Sequence, residues 1–128
     1  VFLPFQLYDT LPYSITSGDV NIISQMKGSE GLCVSCKLYT ALATGKPIIA
    51  LLGRTSEIAQ VISECNCGFV IDSYDPNDLA NAIYCLATDK KLSNQMGFNA
   101  RTCLVESYTK KHAIEKYHKV VQEFERTM

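Results

Sequence analysis

Long apolar runs are missing from these 128 residues. The best of them, "PIIALL" at residues 47–52, is far too short to span a bilayer. Charge of one sign is missing too. Twelve Lys and Arg stand against 13 Asp and Glu, and the net charge of -1 offers no basic excess for a phosphate backbone, so no nucleic-acid partner is expected. There is no low-complexity run and no internal repeat; with 47% hydrophobic and 20% charged residues a disordered tail is excluded. No basic head, apolar stretch and small-residue cleavage site opens the chain. What remains is a soluble globular fold of one-domain size, with room for a single core.

Cysteine is present but sparse for a secreted disulfide framework. Cys33, Cys36, Cys65, Cys67, Cys85 and Cys103 fall partly inside apolar helical patterns, and free Cys is among the most readily buried side chains. The expectation is six reduced thiols in a cytoplasmic protein. Cys33 and Cys36 form a CxxC at a predicted helix start, where a helix dipole can activate a thiol, but a long glycine-containing loop precedes it, unlike a thioredoxin pattern. Cys33, Cys36, Cys65 and Cys67 would also make a four-thiolate zinc set. The first pair opens a helix and the second closes one, so at ~1.5 Å of rise per residue the pairs fall about 15 Å apart. One metal cannot join them, and all six read as small apolar fillers.

Along the chain, strands and helices alternate. "VFLPF" at residues 1–5 reads as a strand with no lead-in, as though the chain starts inside a domain. "DTLPYSITSG" follows as a short helix with Asp9 or Thr10 as cap and Pro12 in its first turn. Residues 19–24 form a second strand, and Ser35 caps a helix to about Thr44, stopped by Gly45 and Pro47. "PIIALL" is the β-branched run of a strand buried on both faces. Thr55 or Ser56 caps a helix through about Glu64, "CGFVI" at 67–71 is the fourth strand, and Asp75 before Pro76 opens a helix with Leu79, Ala82, Ile83 and Leu86 on one side. A helix from about Lys90 aligns Leu92, Met96, Ala100, Cys103 and Leu104; a last one from Thr109 aligns Ile114, Tyr117, Val121 and Phe124. The fold class is α/β, a Rossmann-like parallel sheet with helices on both faces.

In such folds ligands sit beyond the carboxyl ends of the strands, where loops enter helix N-termini. That edge carries residues 24–36, 53–57 and 72–76. Gly31 delivers the backbone to the helix containing Lys37, whose first-turn N–H groups and dipole suit a phosphate. A cation in that turn opposes the dipole unless an anionic ligand joins it, although an isolated lysine ordinarily just points to solvent. "GRTSE" adds Gly53, Arg54 and a second helix start.

The segments "FLPFQLYDTLPYSITSGDVNIISQ", "VSCKLYTALATGKPIIA", "CGFVIDSYDPNDLANAI" and "MGFNARTCLVESY", in that order, resemble the carboxyl-terminal part of a GT-B glycosyltransferase of the retaining, family-four-like group. Asp19-Val20 matches the family's "aDv" strand, Ala43 to Pro47 its "AxGxP" turn, Gly68 to Ile71 its "Glvv" strand and Asn99 to Arg101 its "NAR". "VSCKLYTALATGKP" looks most like the bacterial polysaccharide and lipopolysaccharide branch, whose helix opens "PSKL". There are departures. Thr40 falls where many relatives carry the glutamate that holds the ribose, and Leu32 where they carry another. Ser35-Cys36 replaces Pro-Ser, and Ser24 a usual proline.

The resemblance implies that residues 1–128 are an incomplete nucleotide-sugar donor-binding domain, lacking its first strands and an acceptor domain, and inactive alone. Gln6, Leu7 and Tyr8 would lie near the base, Thr40 near the ribose, and Gly31, Leu32, Ser35 and Lys37 near the diphosphate and sugar. No catalytic residue is identified. Stabilising a departing diphosphate is electrostatic work for N–H groups and cations, so no metal and no cofactor besides the donor is expected. The partners are a nucleotide-diphosphate sugar, a glycan or lipid-linked acceptor, and the membrane surface as a peripheral contact of the full-length protein. In a sheet of order 3-2-1-4-5-6 the strand at residues 1–5 would lack its neighbours, and its free edge invites self-association. Two rivals stand beside this reading: a nucleotide-sugar epimerase of the same fold, and a doubly wound binding module with no chemistry. For a receiver-type module only Asp19 and Asp72 offer acidic groups, and Asp19 opens its strand at the wrong edge.

Overall fold

The structure is a computed structural model that describes residues 4–29, 35–73 and 75–127. The elements run α1 (Leu11–Thr16), β1 (Asn21–Ser24), α2 (Lys37–Thr44), β2 (Ile48–Leu51), α3 (Glu57–Glu64), β3 (Gly68–Ile71), α4 (Pro76–Thr88), α5 (Lys90–Ser107) and α6 (Lys110–Thr127). The described strands form one parallel sheet in the order β1-β2-β3, with Asn21 opposite Ile48 and Ile48 opposite Gly68. Gly68 is required there, since a Cβ would run into the backbone of Ile48.

Local chemistry sets the boundaries. Gly45 ends α2 in the left-handed region at φ 67°, a conformation that costs glycine little. The Ser56 hydroxyl accepts from the Ala59 N–H at 3.1 Å and starts α3. Asp75 accepts from the Asn77 N–H at 2.8 Å and, with Pro76 behind it, starts α4. At the α4–α5 junction Asp89 serves both helices: its N–H donates to Cys85 and its carboxylate accepts from Leu92.

Because the strands advance in one direction, right-handed crossovers put α2 and α3 on the same face. Their residues Leu38, Leu42, Ile58 and Ile62 pack with Ile23, Ile48, Ala50 and Leu52, and α5 closes this side with Ala100 and Cys103. The other face takes α4. There Ile49, Ile71 and Leu86 make a smaller cluster with Met96 of α5 at its margin, and Ile22 on β1 stays 52% exposed. The alternation along β2, with Ile48 and Ala50 to one side and Ile49 and Leu51 to the other, is the period of two that a strand imposes.

Three expectations are corrected. Pro4 and Phe5 belong to no strand, and the rest of the strand expected at 1–5, residues 1–3, lies outside the described residues. Proline supplies no N–H for a ladder; the Gln6 amide donates to the Pro4 carbonyl and the Leu7 carbonyl takes the Leu11 N–H, so the segment turns into α1. Second, the residue capping α2 is Cys36, not Ser35. Third, the six cysteines are not all free thiols: Cys65 and Cys103 are joined in a disulfide. Cys65 closes α3 and Cys103 is on the buried face of α5, a juxtaposition that spacing along the chain does not show. Cys36 and Cys65 do open and close their helices as expected, while Cys33 lies outside the described residues.

Candidate functional site

The carboxyl edge of the sheet carries two helix starts of different chemistry. At α3, Ser56 caps the backbone and Glu57 sits in the first turn, so the positive end of the dipole already has side-chain partners. At α2 the N-cap residue makes no side-chain cap and the first turn contains no acid. The Ser35 hydroxyl accepts from the Lys37 N–H at a long 3.4 Å. Of the two starts, α2 is the more lightly capped among the described residues: the Leu38 N–H meets the Ser35 carbonyl at 3.2 Å, and no acid stands in the turn.

Lys37, Thr40 and Ala41 stand at i, i+3 and i+4 and therefore share one flank of α2. That flank lines a cavity of about 240 Å³ with Ile15 of α1 and Asn21 and Ile23 of β1. Lys37 and Thr40 are exposed there. Asn21 donates to the Thr44 hydroxyl at 2.8 Å, and that hydroxyl donates to Ala41 O at 2.7 Å, which ties β1 to the far end of α2.

The remaining candidates divide. Gln6, Leu7 and Tyr8 lead into α1, with Leu7 and Tyr8 exposed and the Leu7 carbonyl holding Thr10 and Leu11. Gly53 and exposed Arg54 lie on the β2–α3 loop, one strand along the same edge. Ser35 is half-buried immediately before α2. Gly31 and Leu32 lie outside the described residues. The structure thus brings Lys37 and Thr40 into one cavity, with Arg54 on the neighbouring loop.

The opposite flank of α2 shows residues that the sequence reading did not single out. Tyr39 and Tyr108 lie with ring centroids 5.5 Å apart, and the Lys116 ammonium stands 5.6 Å over the Tyr108 ring. They border a larger cavity of about 600 Å³ with Glu57, Lys110 and Tyr117. Burial, and then the neighbouring Tyr39, Glu64 and Glu57, push the Tyr108 hydroxyl above its ordinary pKa. This larger space lies between the body of the fold and α6, away from Lys37 and Thr40. Size alone does not make it the functional site: its cations, Lys110 and Lys116, stand on α6 beside Glu57, whereas Lys37 stands at a helix start with no acid in its first turn. Tyr108 follows the "NAR" stretch within "MGFNARTCLVESY", the one sequence signal that points toward it.

A family model described as glycosyl transferases group 1 matches residues 1–102. The chain belongs to this family. Among curated proteins it is 30% identical over 105 residues to "Probable glycosyltransferase WbjE" of Pseudomonas aeruginosa, covering 82% of this chain and 26% of that protein. It is 31% identical over 123 residues to "Putative glycosyltransferase YtcC" of Bacillus subtilis (strain 168), covering 95% of this chain and 29% of that protein. Among solved structures, the sucrose-phosphate synthase of Thermosynechococcus elongatus superimposes with a TM-score of 0.81 at 16% identity, over all of this chain and 31% of that one. This group 1 glycosyltransferase sequence therefore has the fold of a GT-B domain and spans under a third of the length of the relatives it matches. No helix among its described residues is long and apolar enough to cross a membrane.

Proposed function

We propose that this chain forms the donor-binding part of a glycosyltransferase that moves a sugar, with retention, from a nucleotide-diphosphate sugar to a glycan or lipid-linked acceptor of bacterial polysaccharide type. Family membership supports glycosyl transfer. The observation that carries donor binding is the first turn of α2, without an acid or a side-chain cap, whose Lys37 shares a cavity with Thr40. In this reading the diphosphate takes the α2 N–H groups and the Lys37 ammonium, with Arg54 reaching from the next loop. Thr40 offers the ribose a neutral hydroxyl where relatives offer a carboxylate, a weaker partner than a charged one. Gln6, Leu7 and Tyr8 face the base, Gly53 and Ser35 line the path of the diphosphate and sugar, and the family resemblance assigns Gly31 and Leu32 to the same part of the donor. Leaving-group charge is met by fixed dipoles and cations in place before reaction; no step in this proposal requires a metal. The acceptor belongs to the remainder of a protein of the relatives' length, and the chain alone is expected to be inactive in transfer.

Calorimetric titration of uridine diphosphate and related nucleotides into the wild type and Lys37→Ala tests the site. Loss of one charge-assisted contact should weaken binding about tenfold. Equal affinity in the two proteins would remove Lys37 from the site.

A further inference from the structure

Cys65 and Cys103 join the end of α3 to α5, with Cα atoms 6.1 Å apart and a sequence separation of 38. Other fastenings on α5 are noncovalent. The Arg101 guanidinium donates to Ala43 O at 2.9 Å, and the Asn99 amide donates to Asn66 O at 3.0 Å. The helix backbone at Gly97 also packs on Gly45 so closely that a Cβ would collide with its carbonyl. α5 thus spans the tails of α2 and α3, and the disulfide is its covalent attachment to the second.

An open notch of about 380 Å³ reaches the bond. Its lining residues include both cysteines, Asn66, Asn99 and the acidic Glu64 and Glu106. Cys65 is half-exposed and Cys103 buried, so attack from solvent falls on Cys65 Sγ. Among the described free cysteines, none is placed for internal exchange. Cys67 is buried, its thiol donating to Ile62 O, and burial pushes its pKa up to about 11, so little attacking thiolate exists at neutral pH. Cys36 opens α2 at the other edge of the sheet, and Cys85 is on α4.

We propose that the Cys65–Cys103 disulfide is a reducible latch, opened by a small external thiol through this notch, that fixes α5 to α3 and steadies the end of α2. An external thiolate attacks Cys65 Sγ, forms a mixed disulfide and expels Cys103 as a thiolate, which takes a proton. A second thiolate attacks the external sulfur, releases the Cys65 thiolate to be protonated and leaves as the oxidised small-molecule disulfide. In sum, one protein disulfide and two thiols give two protein thiols and one small disulfide. The flanking carboxylates repel an anionic thiol and favour a cationic one. α2 carries Lys37 and Thr40, so the latch is felt at the proposed donor cavity. That last step rests on the donor-binding reading; the measurements below do not.

Protein purified without reductant is alkylated, digested and mapped, then melted with and without thiol. The latch requires a cross-linked peptide pair containing Cys65 and Cys103. It also requires a fall in Tm of roughly 10 °C on reduction, since the bond closes a long loop, and faster amide exchange over residues 99–107. Cysteamine should open it several-fold faster than glutathione. The melting temperature of Cys103→Ser should not respond to thiol; if that variant does not fold, thiol titration of the wild type carries the same test. Complete alkylation of both cysteines before reduction, or a Tm unmoved by reduction, would overturn the latch, and equal rates for the two thiols would overturn the acidic notch as its entrance.

Discussion

Helices α5 and α6 have 18 residues each and follow one another in the chain, yet the fold treats them oppositely. α5 buries Gly97, Ala100 and Cys103, is fastened by Arg101, Asn99 and a disulfide, and packs against both α2 and α4. α6 buries no residue. Its apolar stripe of Ile114, Tyr117, Val121 and Phe124 is 53–76% exposed; its start carries a local Thr109–His112 contact, and Lys116 stands over Tyr108 at the end of α5. The more regular stripe is on α6. Amphipathic spacing states which side of a helix could be buried, and small residues that allow backbones to meet decide which helix is.

The difference can be broken first at Gly97. A helix-interior glycine changed to alanine ordinarily gains stability by roughly 1 kcal/mol through propensity. Here the new Cβ meets the Gly45 carbonyl, so Gly97→Ala should lose roughly 2 kcal/mol, as overpacking does. Urea unfolding reads the sign directly, and a gain would show that α5 has room to move off α2. A smaller effect is expected at Arg101→Ala. Removing its exposed hydrogen bond to Ala43 O should cost about 1 kcal/mol, seen as a lower urea midpoint with unchanged slope. The smallest belongs to α6. Phe124→Ser alters a side chain 63% exposed and should move stability by less than about 0.5 kcal/mol in this chain. A loss of several times that would mean that the stripe is covered in solution.

Most of the fold was legible because its signals are local. Pro12, Gly45, Ser56, Asp75 and Pro76 mark helix ends by their own backbone preferences, and each of these boundaries falls within a residue or two of its expected place. The run at residues 47–52 reads as a central strand because β2 is covered on both faces. What was not legible depends on contacts between distant parts. The bond between Cys65 and Cys103 needs the packing of α5 on α3. The absence of a strand at Pro4 and Phe5 reflects a ladder that has no partner among the described residues. At the site, Lys37 was readable from its place in the first turn of a helix, and Thr40 only through the family resemblance. Ile15 and Asn21, which complete their cavity, were not, because they arrive from α1 and β1. The contrast between the two helix starts was half visible: Ser56 and Glu57 announce a finished cap, whereas the want of one at α2 emerges only once Cys36 is found in the capping position.

That want of a cap couples order to occupancy. A helix of 8 residues is short enough that its first turn contributes much of its own cohesion. A ligand that supplies acceptors to those N–H groups does two things at once: it makes its own contacts and it completes the helix. Part of its intrinsic affinity is spent on ordering the turn, so the observed affinity scales with the fraction of molecules in which the turn is already formed. A substitution at Cys36 that caps the helix from within would raise that fraction and also compete for the same N–H groups. The two effects oppose each other, which makes the identity of this residue a tuning point between a rigid helix and a receptive one.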